Sequence, residues 1–400
     1  MAVEYRTSDF CYTFLIPSFF SRLPPAPIDP IFAIAQKARA AGPGAIDATI
    51  GMIVGEEGGS FVLDCVRKAA FSCASIARDF SYPLLLGLPS FRAAVTTLIF
   101  EKASEHIASV AATGGTGAIA INLKLLQLLN VRNVVLPMPS WPNHRRLLSG
   151  FGVAVTETIY LEETIPSIAP LLNALKRATE PTALLLQACG HNPTGLDLPE
   201  QQWHDLAASL KDGEHVVLLD CAYQGLAHGT REDTLPARIL AEAGVPLLVS
   251  WSASKNHTIY NLRTGLACAA VEDAATKEKI ERHYMILIRE MHSAAPIPGQ
   301  EIVAAVQEYA KEEWMRELAN VRALLAHKRS LLLEAFPRWA ASLDGSGLYA
   351  CLPLKKEDVL ALRRQNIFLT DNGRMNIAGV PMKDIPTVIE KVLRITKNNN

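Results

Sequence analysis

The chain lacks an excess of charge of either sign. Its 400 residues include 39 lysines and arginines against 40 aspartates and glutamates, a formal net charge of −1 at pH 7. No net field and no dense basic cluster attracts phosphate backbones or anionic lipids, so we expect no nucleic-acid partner and no membrane partner. Small-molecule substrates are the expected partners.

The chain also lacks the spacings of disulfide frameworks and metal sites. Its seven cysteines are odd in number and scattered, without a Cys-x-x-Cys pair, and its ten histidines include no His-Glu-x-x-His. We therefore predict no metal, a reducing compartment and a cytoplasmic location.

Long apolar runs are missing near the N-terminus. The run at residues 10–16 is too short to span a bilayer, and the acidic residues Glu4 and Asp9 argue against a targeting signal. Residues 1–27 are predicted to be an arm that contacts a second subunit. With 49% apolar and 20% charged residues, the rest has the composition of a folded globular protein.

What is present, from about residue 60, is an alternation of apolar runs with amphipathic helical segments, which is typical of a doubly wound α/β domain. Seven strands are predicted, at residues 108–112, 133–137, 153–160, 182–188, 215–220, 245–250 and 264–271. A large domain at 61–318 would hold this mostly parallel sheet. A long helical stretch is predicted at 301–336. A small α+β domain is predicted from residues 28–60 and 319–400, with helices at 31–41 and 384–396 and strands at 348–352 and 374–377.

Lys255 follows one of these apolar runs, in the stretch Ser252-Ala253-Ser254-Lys255. Burial and cationic neighbours readily neutralise a lysine, and a neutral amine can form a Schiff base with a carbonyl compound. Ser252, Ser254 and Arg263 would then bind a phosphate. Taken alone, the pattern is common and is more typical of a solvated loop lysine.

A glycine-rich turn, Thr113-Gly114-Gly115-Thr116-Gly117, opens a predicted helix after the first strand of the sheet. Exposed backbone N–H groups at a helix N-terminus bind anions, so the turn predicts a phosphate site, with a plain tight turn as the alternative. A dinucleotide site would need an acid about 20 residues on. The next acid is Glu157, which argues against that interpretation.

Polar side chains follow the other predicted strands. Trp141 could stack on a heteroaromatic ring, and the Asn192 amide could bind a cofactor or substrate oxygen, although core tryptophans and Asn-Pro turns are common. Asp220 directly follows four apolar residues and needs a partner, which could be a protonated ring nitrogen, a backbone amide or an arginine. With the phenol of Tyr223 and the amine of Lys255, these groups supply what a pyridoxal phosphate site needs.

Nearly the whole chain, from residue 18 to the terminal helix, resembles the class I (aspartate and aromatic type) aminotransferases of the fold type I pyridoxal phosphate enzymes. The resemblance is carried by Pro25-Ala26-Pro27-Ile28-Asp29-Pro30-Ile31, Gly114-Gly115-Thr116-Gly117-Ala118, Ser140-Trp141-Pro142-Asn143-His144, His191-Asn192-Pro193-Thr194-Gly195, Asp220-Cys221-Ala222-Tyr223-Gln224-Gly225, Ser254-Lys255-Asn256, Ile288-Arg289 and Gly373-Arg374-Met375-Asn376-Ile377-Ala378-Gly379.

The resemblance implies that pyridoxal 5'-phosphate is the cofactor and that Lys255, Asp220 and Tyr223 are catalytic. Lys255 would bind the cofactor covalently and move the substrate proton. Asp220, supported by His144, would keep the ring nitrogen protonated. Tyr223 and Asn192 would bind the phenolic oxygen, Trp141 would stack on the ring, and the phosphate would be bound by Gly115, Thr116, Ser252, Ser254, Arg263 and Tyr82 of the partner subunit.

For the substrate, the resemblance implies that Arg374 binds the α-carboxylate and that Arg289 of the partner subunit binds a side-chain carboxylate, with Gly51, Trp141 and Asn192 as further contacts. The protein would be a homodimer that moves amino groups between aspartate or glutamate and the 2-oxo acids oxaloacetate and 2-oxoglutarate. A main activity on tyrosine and phenylalanine, or lyase or decarboxylase chemistry on the same scaffold, stays open.

Several positions depart from the family pattern. Gln187 stands where a histidine is usual, Thr258 replaces a glycine, Ala253 a tyrosine and Tyr349 a phenylalanine; Ile53, Ser81 and residues 292–296 also differ. Two other classes of protein fit the sequence less well. A nicotinamide-dependent oxidoreductase lacks its acidic ribose ligand, and a non-catalytic binding protein is disfavoured because Lys255 is present.

Overall fold

A computed structural model describes residues 18–26, 28–75, 81–101 and 104–397. Most of the predicted N-terminal arm (residues 1–17 and 27) and residues 398–400 lie outside this range. Within it, no helix is long and apolar enough to cross a membrane.

One seven-stranded sheet organises the described chain. Numbered in chain order, the strands are β1 (Ile46–Asp47), β2 (Ile107–Thr113), β3 (Asn133–Met138), β4 (Ala154–Ile159), β5 (Leu161–Glu162), β6 (Ile165–Pro166), β7 (Thr182–Gln187), β8 (Val216–Cys221), β9 (Leu247–Ser252), β10 (Thr264–Ala270), β11 (Tyr349–Cys351), β12 (Ile367–Phe368) and β13 (Arg374–Asn376). The large sheet has the order β2-β10-β9-β8-β7-β3-β4, and all seven predicted strands are confirmed as its members.

The sheet is mostly parallel because only β10 runs against its neighbours. It pairs antiparallel with both β2 and β9, whereas the other adjacent pairs are parallel. The amino end of β10 therefore lies at the same edge as the carboxyl ends of the other strands. Loops that follow these strands, and the loop that precedes β10, meet at that edge.

Both faces of the sheet are covered, as the continuous apolar runs predict. Successive strand residues point to opposite faces, so Leu184 and Leu186 of β7 belong to one apolar core while Ala183 and Leu185 belong to the other. At about 25 cal/mol for each Å² of apolar surface buried, these two cores supply the main driving force for folding.

The helices, numbered in the same way, are α1 (Pro30–Ala40), α2 (Asp64–Ser75), α3 (Pro89–Phe100), α4 (Gly114–Leu128), α5 (Pro142–Gly150), α6 (Ala169–Lys176), α7 (Glu200–Leu210), α8 (Leu235–Glu242), α9 (Ala253–Asn256), α10 (Ala274–His292), α11 (Pro298–Tyr309), α12 (Lys311–Ala335), α13 (Ala340–Leu343), α14 (Lys356–Arg364) and α15 (Ile385–Lys397). The predicted helix at 301–336 is wrong as one element. It is two helices, because Ala310 leaves helical geometry with φ −139° and ψ 21°.

Short strands near the two ends of the chain bring distant segments together. Strand β1 pairs with β12, and β11 pairs antiparallel with β13, which confirms the predicted strands at 348–352 and 374–377. The Asn376 side-chain amide donates to the carbonyls of Ile50 and Met52 at 2.6 and 2.7 Å, so the segment around Gly51 is fixed against β13. The domain boundaries stay predictions; the one at 318–319 falls within α12.

Candidate active site

A cavity of about 400 Å³ opens at the carboxyl edge of the large sheet. Most of the predicted site residues line it together: Gly51, Gly115, Thr116, Trp141, Asn192, Asp220, Tyr223, Ser252, Ser254, Lys255, Arg263 and Arg374. They come from segments up to 323 positions apart in the sequence, from Gly51 to Arg374. The residues that follow strands of the large sheet converge because parallel strands end at a common edge. Arg374 instead belongs to β13, and the Gly51 segment is held against that strand by Asn376.

Lys255 lines this cavity because β9 ends at Ser252 and turns directly into the short helix α9. The Ser252 side chain caps that helix by accepting a hydrogen bond from the Ser254 amide at 3.2 Å. Burial lowers the pKa of Lys255 to about 8; the nearby Asp220 carboxylate opposes this shift and Arg263 adds to it. The amine is thus much closer to neutrality than a surface lysine.

Asp220 has one satisfied oxygen and one free oxygen. It is 4% exposed, and its Oδ2 lies 2.9 Å from Nε2 of His144, whose Nδ1 lies 2.9 Å from the Ser140 hydroxyl. Among the described residues, Oδ1 of Asp220 has no hydrogen-bond partner. An unpaired carboxylate oxygen is unfavourable when buried, so this atom fits a donor supplied by a bound group. His144 does not line the cavity itself and acts on it through Asp220.

Tyr223, Asn192 and Arg374 form a connected chain of hydrogen bonds. The Asn192 amide donates to the Tyr223 hydroxyl at 3.2 Å, and its carbonyl oxygen accepts from Nη1 of Arg374 at 3.0 Å. Burial raises the pKa of Tyr223 well above its ordinary value, with Tyr349 and Asp220 adding to the rise. Tyr223 is therefore a neutral phenol at physiological pH and can donate a proton in a hydrogen bond.

Gln187 takes a part in this chain that the sequence did not reveal. Its side-chain oxygen accepts a hydrogen bond from the backbone amide of Asn192 at 2.9 Å, and its side-chain nitrogen donates one to the backbone carbonyl of Asn192 at 3.1 Å. Although the family usually has a histidine at this position, Gln187 therefore still fixes the backbone of Asn192.

The glycine-rich turn and Arg263 form a cup at the start of α4. Gly114 has φ +72°, and a methyl group at its Cα would overlap the Arg263 guanidinium. Arg263 itself has a left-handed backbone (φ 48°), and its Nη1 lies 3.2 Å from the Ser254 hydroxyl. Helix N-terminus, guanidinium and hydroxyl together favour an anion such as a phosphate.

Arg374 is held at two of its three nitrogens. Nη1 donates to Asn192, Nη2 donates to the Thr49 carbonyl at 2.5 Å, and Nε is buried without a partner among the described residues. The guanidinium also lies over the Tyr349 ring, 4.9 Å from its centroid. A buried cation in this state fits an anionic ligand.

Tyr260 and Asp29 are among the cavity residues that sequence reasoning missed. The Tyr260 hydroxyl accepts from the Ile53 amide at 2.9 Å and so joins the segment near Gly51 to the loop after α9. Asp29, which also lines the cavity, caps α1 and pairs with Arg146. Asp29 has a local signal, since it directly precedes Pro30 at a helix start, whereas nothing local marks Tyr260 as a cavity residue.

Tyr82 and Arg289 do not line this cavity. Tyr82 is 88% exposed, and Arg289 lies exposed near the end of α10 with its Nη1 2.5 Å from the Ser293 hydroxyl. Neither therefore contributes to the cavity of its own chain, and both are available at the surface.

At the carboxyl edge of a doubly wound sheet, the cavity brings together a half-buried lysine amine, a carboxylate with one unpaired oxygen and a site for an anion. This combination is typical of an enzyme that uses an aldehyde cofactor with a basic ring nitrogen and a phosphate. The family described as aminotransferase class I and II matches residues 49–392, and the chain belongs to that family. It is a pyridoxal phosphate-dependent aminotransferase of fold type I, as the resemblance implied.

Named relatives support this assignment. The chain is 31% identical over 394 residues to the aspartate aminotransferase of Escherichia coli (strain K12), which covers 94% of this chain and 100% of the relative. The aromatic-amino-acid aminotransferase of Burkholderia pseudomallei, solved covalently bound to pyridoxal phosphate, matches with a TM-score of 0.89 at 27% identity, over 94% of this chain and 99% of the other. The broad specificity aminotransferase of Leishmania mexicana has a TM-score of 0.90 at 25% identity, over 94% and 98%.

The residues present fit this cofactor. The free Oδ1 of Asp220 matches a protonated ring nitrogen, the cup around Gly114 and Arg263 matches a phosphate, and Lys255 supplies the amine.

Proposed function

We propose that this aminotransferase moves the amino group between aspartate or glutamate and the corresponding 2-oxo acids, oxaloacetate and 2-oxoglutarate. The observation that carries the assignment of amino acids as substrates is Arg374, a buried guanidinium in the cavity wall whose Nε has no partner among the described residues. A substrate α-carboxylate satisfies this charge, and a planar guanidinium binds carboxylates through paired hydrogen bonds. The dicarboxylate preference is supported by the aspartate aminotransferases among the relatives.

Each cavity group has a distinct task in this proposal. When bound, pyridoxal phosphate supplies an electron sink for the electron pair of the substrate Cα–H bond. Lys255 would hold the cofactor through Nζ, and its amine would move the substrate proton from Cα to C4′ of the cofactor. Asp220, oriented by the 2.9 Å contact with His144, holds a proton on the ring nitrogen. Tyr223 and Asn192 bind the phenolic oxygen, and Trp141 covers the ring.

The phosphate-binding set is Gly115, Thr116, Ser252, Ser254 and Arg263, which lie together around the start of α4 and α9. Charge-assisted hydrogen bonds from Arg263 and from backbone amides would hold the phosphate independently of the covalent bond to Lys255.

We further propose that the protein is a homodimer with shared sites, to which Tyr82 and Arg289 of the partner subunit contribute. Their exposure in one chain supports this proposal, as do the large apolar side chains exposed at Phe20, Leu23 and Ile286. A cytoplasmic location is proposed as well; it is supported by the scattered cysteines and is checked by fractionating cells that express the tagged protein.

A second candidate is a main activity on aromatic amino acids. It is favoured by structural relatives that carry that name, among them the Burkholderia pseudomallei enzyme. Arg374 would bind the α-carboxylate of either substrate class, so it does not separate the two candidates.

The test is 2-oxoglutarate-dependent turnover of aspartate, tyrosine and phenylalanine by the purified holoenzyme, with Lys255→Ala as the inactive control. The proposal predicts the highest kcat/KM for aspartate. A kcat/KM for tyrosine or phenylalanine that exceeds the aspartate value would establish the second candidate instead.

A further inference from the structure

The Tyr349 hydroxyl lies where three parts of the cavity meet. Tyr349 is 2% exposed and belongs to β11, opposite Asn376 of β13, and its carbonyl accepts a hydrogen bond from Nη2 of Arg329 at 2.9 Å. Its backbone is therefore fixed. The ring lies under the Arg374 guanidinium, with 4.9 Å between the ring centroid and Cζ of Arg374, and it meets the Tyr223 ring edge-on at 5.8 Å. These contacts fix the ring as well.

Gly51 leaves the space that this hydroxyl occupies. A methyl group on the Cα of Gly51 would overlap the Tyr349 hydroxyl oxygen, and the Tyr349 Cζ would lie 3.2 Å from it. Gly51 has no positive φ, so the need for glycine here comes from the tyrosine oxygen and not from the backbone. The 49–52 segment cannot easily retreat, because Asn376 holds the carbonyls of Ile50 and Met52.

The hydroxyl is weakly bound where it lies. Its hydrogen bond with the Tyr223 hydroxyl spans 3.4 Å, near the limit for such a bond. A buried hydroxyl gains more from a charged acceptor than from a long bond to another phenol. The acceptor that the cavity is built to receive beside Arg374 is a carboxylate.

We propose that the Tyr349 hydroxyl is a further donor to the substrate α-carboxylate, and that it stands beside Arg374 in the space left by Gly51. The inference rests on the proposed role of Arg374 in binding that carboxylate. It concerns the end of the substrate that all amino acids share, so it does not depend on which side chain the enzyme prefers.

The test measures binding of two unreactive acids, propionate and succinate, to the cofactor-loaded protein by isothermal titration calorimetry. Tyr349→Phe removes one oxygen atom, and we expect Kd to rise about tenfold for both acids, the loss expected for a hydrogen bond to a charged group. The thermal unfolding midpoint without ligand is recorded in parallel, because a purely structural role would lower that midpoint and leave Kd unchanged.

A double-mutant cycle tests the role of Gly51. Gly51→Ala should weaken binding of both acids strongly when Tyr349 is present. In the Tyr349→Phe background the added methyl meets only ring carbon, so the same substitution should raise Kd by a much smaller factor.

Three results would overturn the inference. One is an unchanged Kd in Tyr349→Phe. If the pH midpoint of the visible absorption band of the bound cofactor shifts at the same time, the Tyr349 hydroxyl acts through Tyr223 and not on the substrate. Another is a loss confined to succinate, which would place the hydroxyl at the distal carboxylate. The third is equal Gly51→Ala effects in both backgrounds. A holoenzyme that prefers aromatic substrates, in contrast, would refute the dicarboxylate proposal and leave this one standing.

Discussion

The low pKa of Lys255 predicts a specific pH dependence for the capture of the cofactor. Burial, with Arg263 adding to it and Asp220 opposing it, lowers this pKa to about 8. About a tenth of the amine is then neutral at pH 7, roughly 250-fold more than for a lysine with the usual pKa of about 10.4. Only the neutral amine attacks an aldehyde.

The assay is stopped-flow absorbance of cofactor-free protein mixed with pyridoxal phosphate between pH 6 and pH 10. The rate of covalent capture should rise with a midpoint near pH 8. Asp220→Asn should move the midpoint lower, because the carboxylate that favours the charged amine is gone. A midpoint that stays above pH 10 would refute the assigned environment of Lys255.

The lowered pKa of Lys255 also makes the free energy of unfolding depend on pH. The pKa of Lys255 is lower in the folded state than in the unfolded state, so the charged lysine opposes folding; this penalty is complete below about pH 8 and vanishes above about pH 10.4. In the cofactor-free protein, Lys255→Met should therefore raise the free energy of unfolding at pH 7 by at most about 3 kcal/mol, less what cavity solvent screens. Urea titrations at pH 7 and pH 10.5 measure the gain. An equal gain at both pH values would refute the argument.

Three other substitutions test the remaining parts of the site. Arg374→Lys should lower kcat/KM for every amino acid alike, by about 2–4 kcal/mol of transition-state stabilisation, because lysine cannot form the paired hydrogen bonds; steady-state kinetics check this. Gly114→Ala should displace the Arg263 guanidinium and raise the Kd of pyridoxal phosphate, measured by equilibrium dialysis, while Gly150→Ala, which has open space around it, serves as the control. Arg289→Ala should lose aspartate turnover far more than tyrosine turnover, and mixing it with inactive Lys255→Ala subunits should restore aspartate turnover if the site is shared; verified subunit exchange without recovery would falsify the shared site.

The parts of the fold that local patterns encode were predictable. Strands β7, β8 and β9 are buried on both faces and each contains a run of apolar residues, and the polar residues at their carboxyl ends necessarily meet at one edge. The break at Ala310 was not predictable, because no proline or glycine marks it and α11 and α12 are each helical in composition.

Local sequence patterns also do not predict contacts between distant segments. Tyr349 occupies the space at Gly51 only because β11 pairs with β13 and Asn376 fixes the Gly51 segment. Such a contact depends on register and side-chain packing, neither of which a stretch of sequence records. The roles of Arg374 and Gly51 were expected through the family resemblance alone, and that resemblance could not anticipate the effect of the Tyr349 hydroxyl.

The most direct test of the central claim, that Lys255 is the amine that binds the cofactor, is borohydride reduction of the holoenzyme followed by peptide mapping. The purified protein should be yellow, lose its visible band on reduction, and carry the pyridoxyl label on the peptide that contains Lys255. Label on any other lysine, including the buried Lys328, would contradict the account.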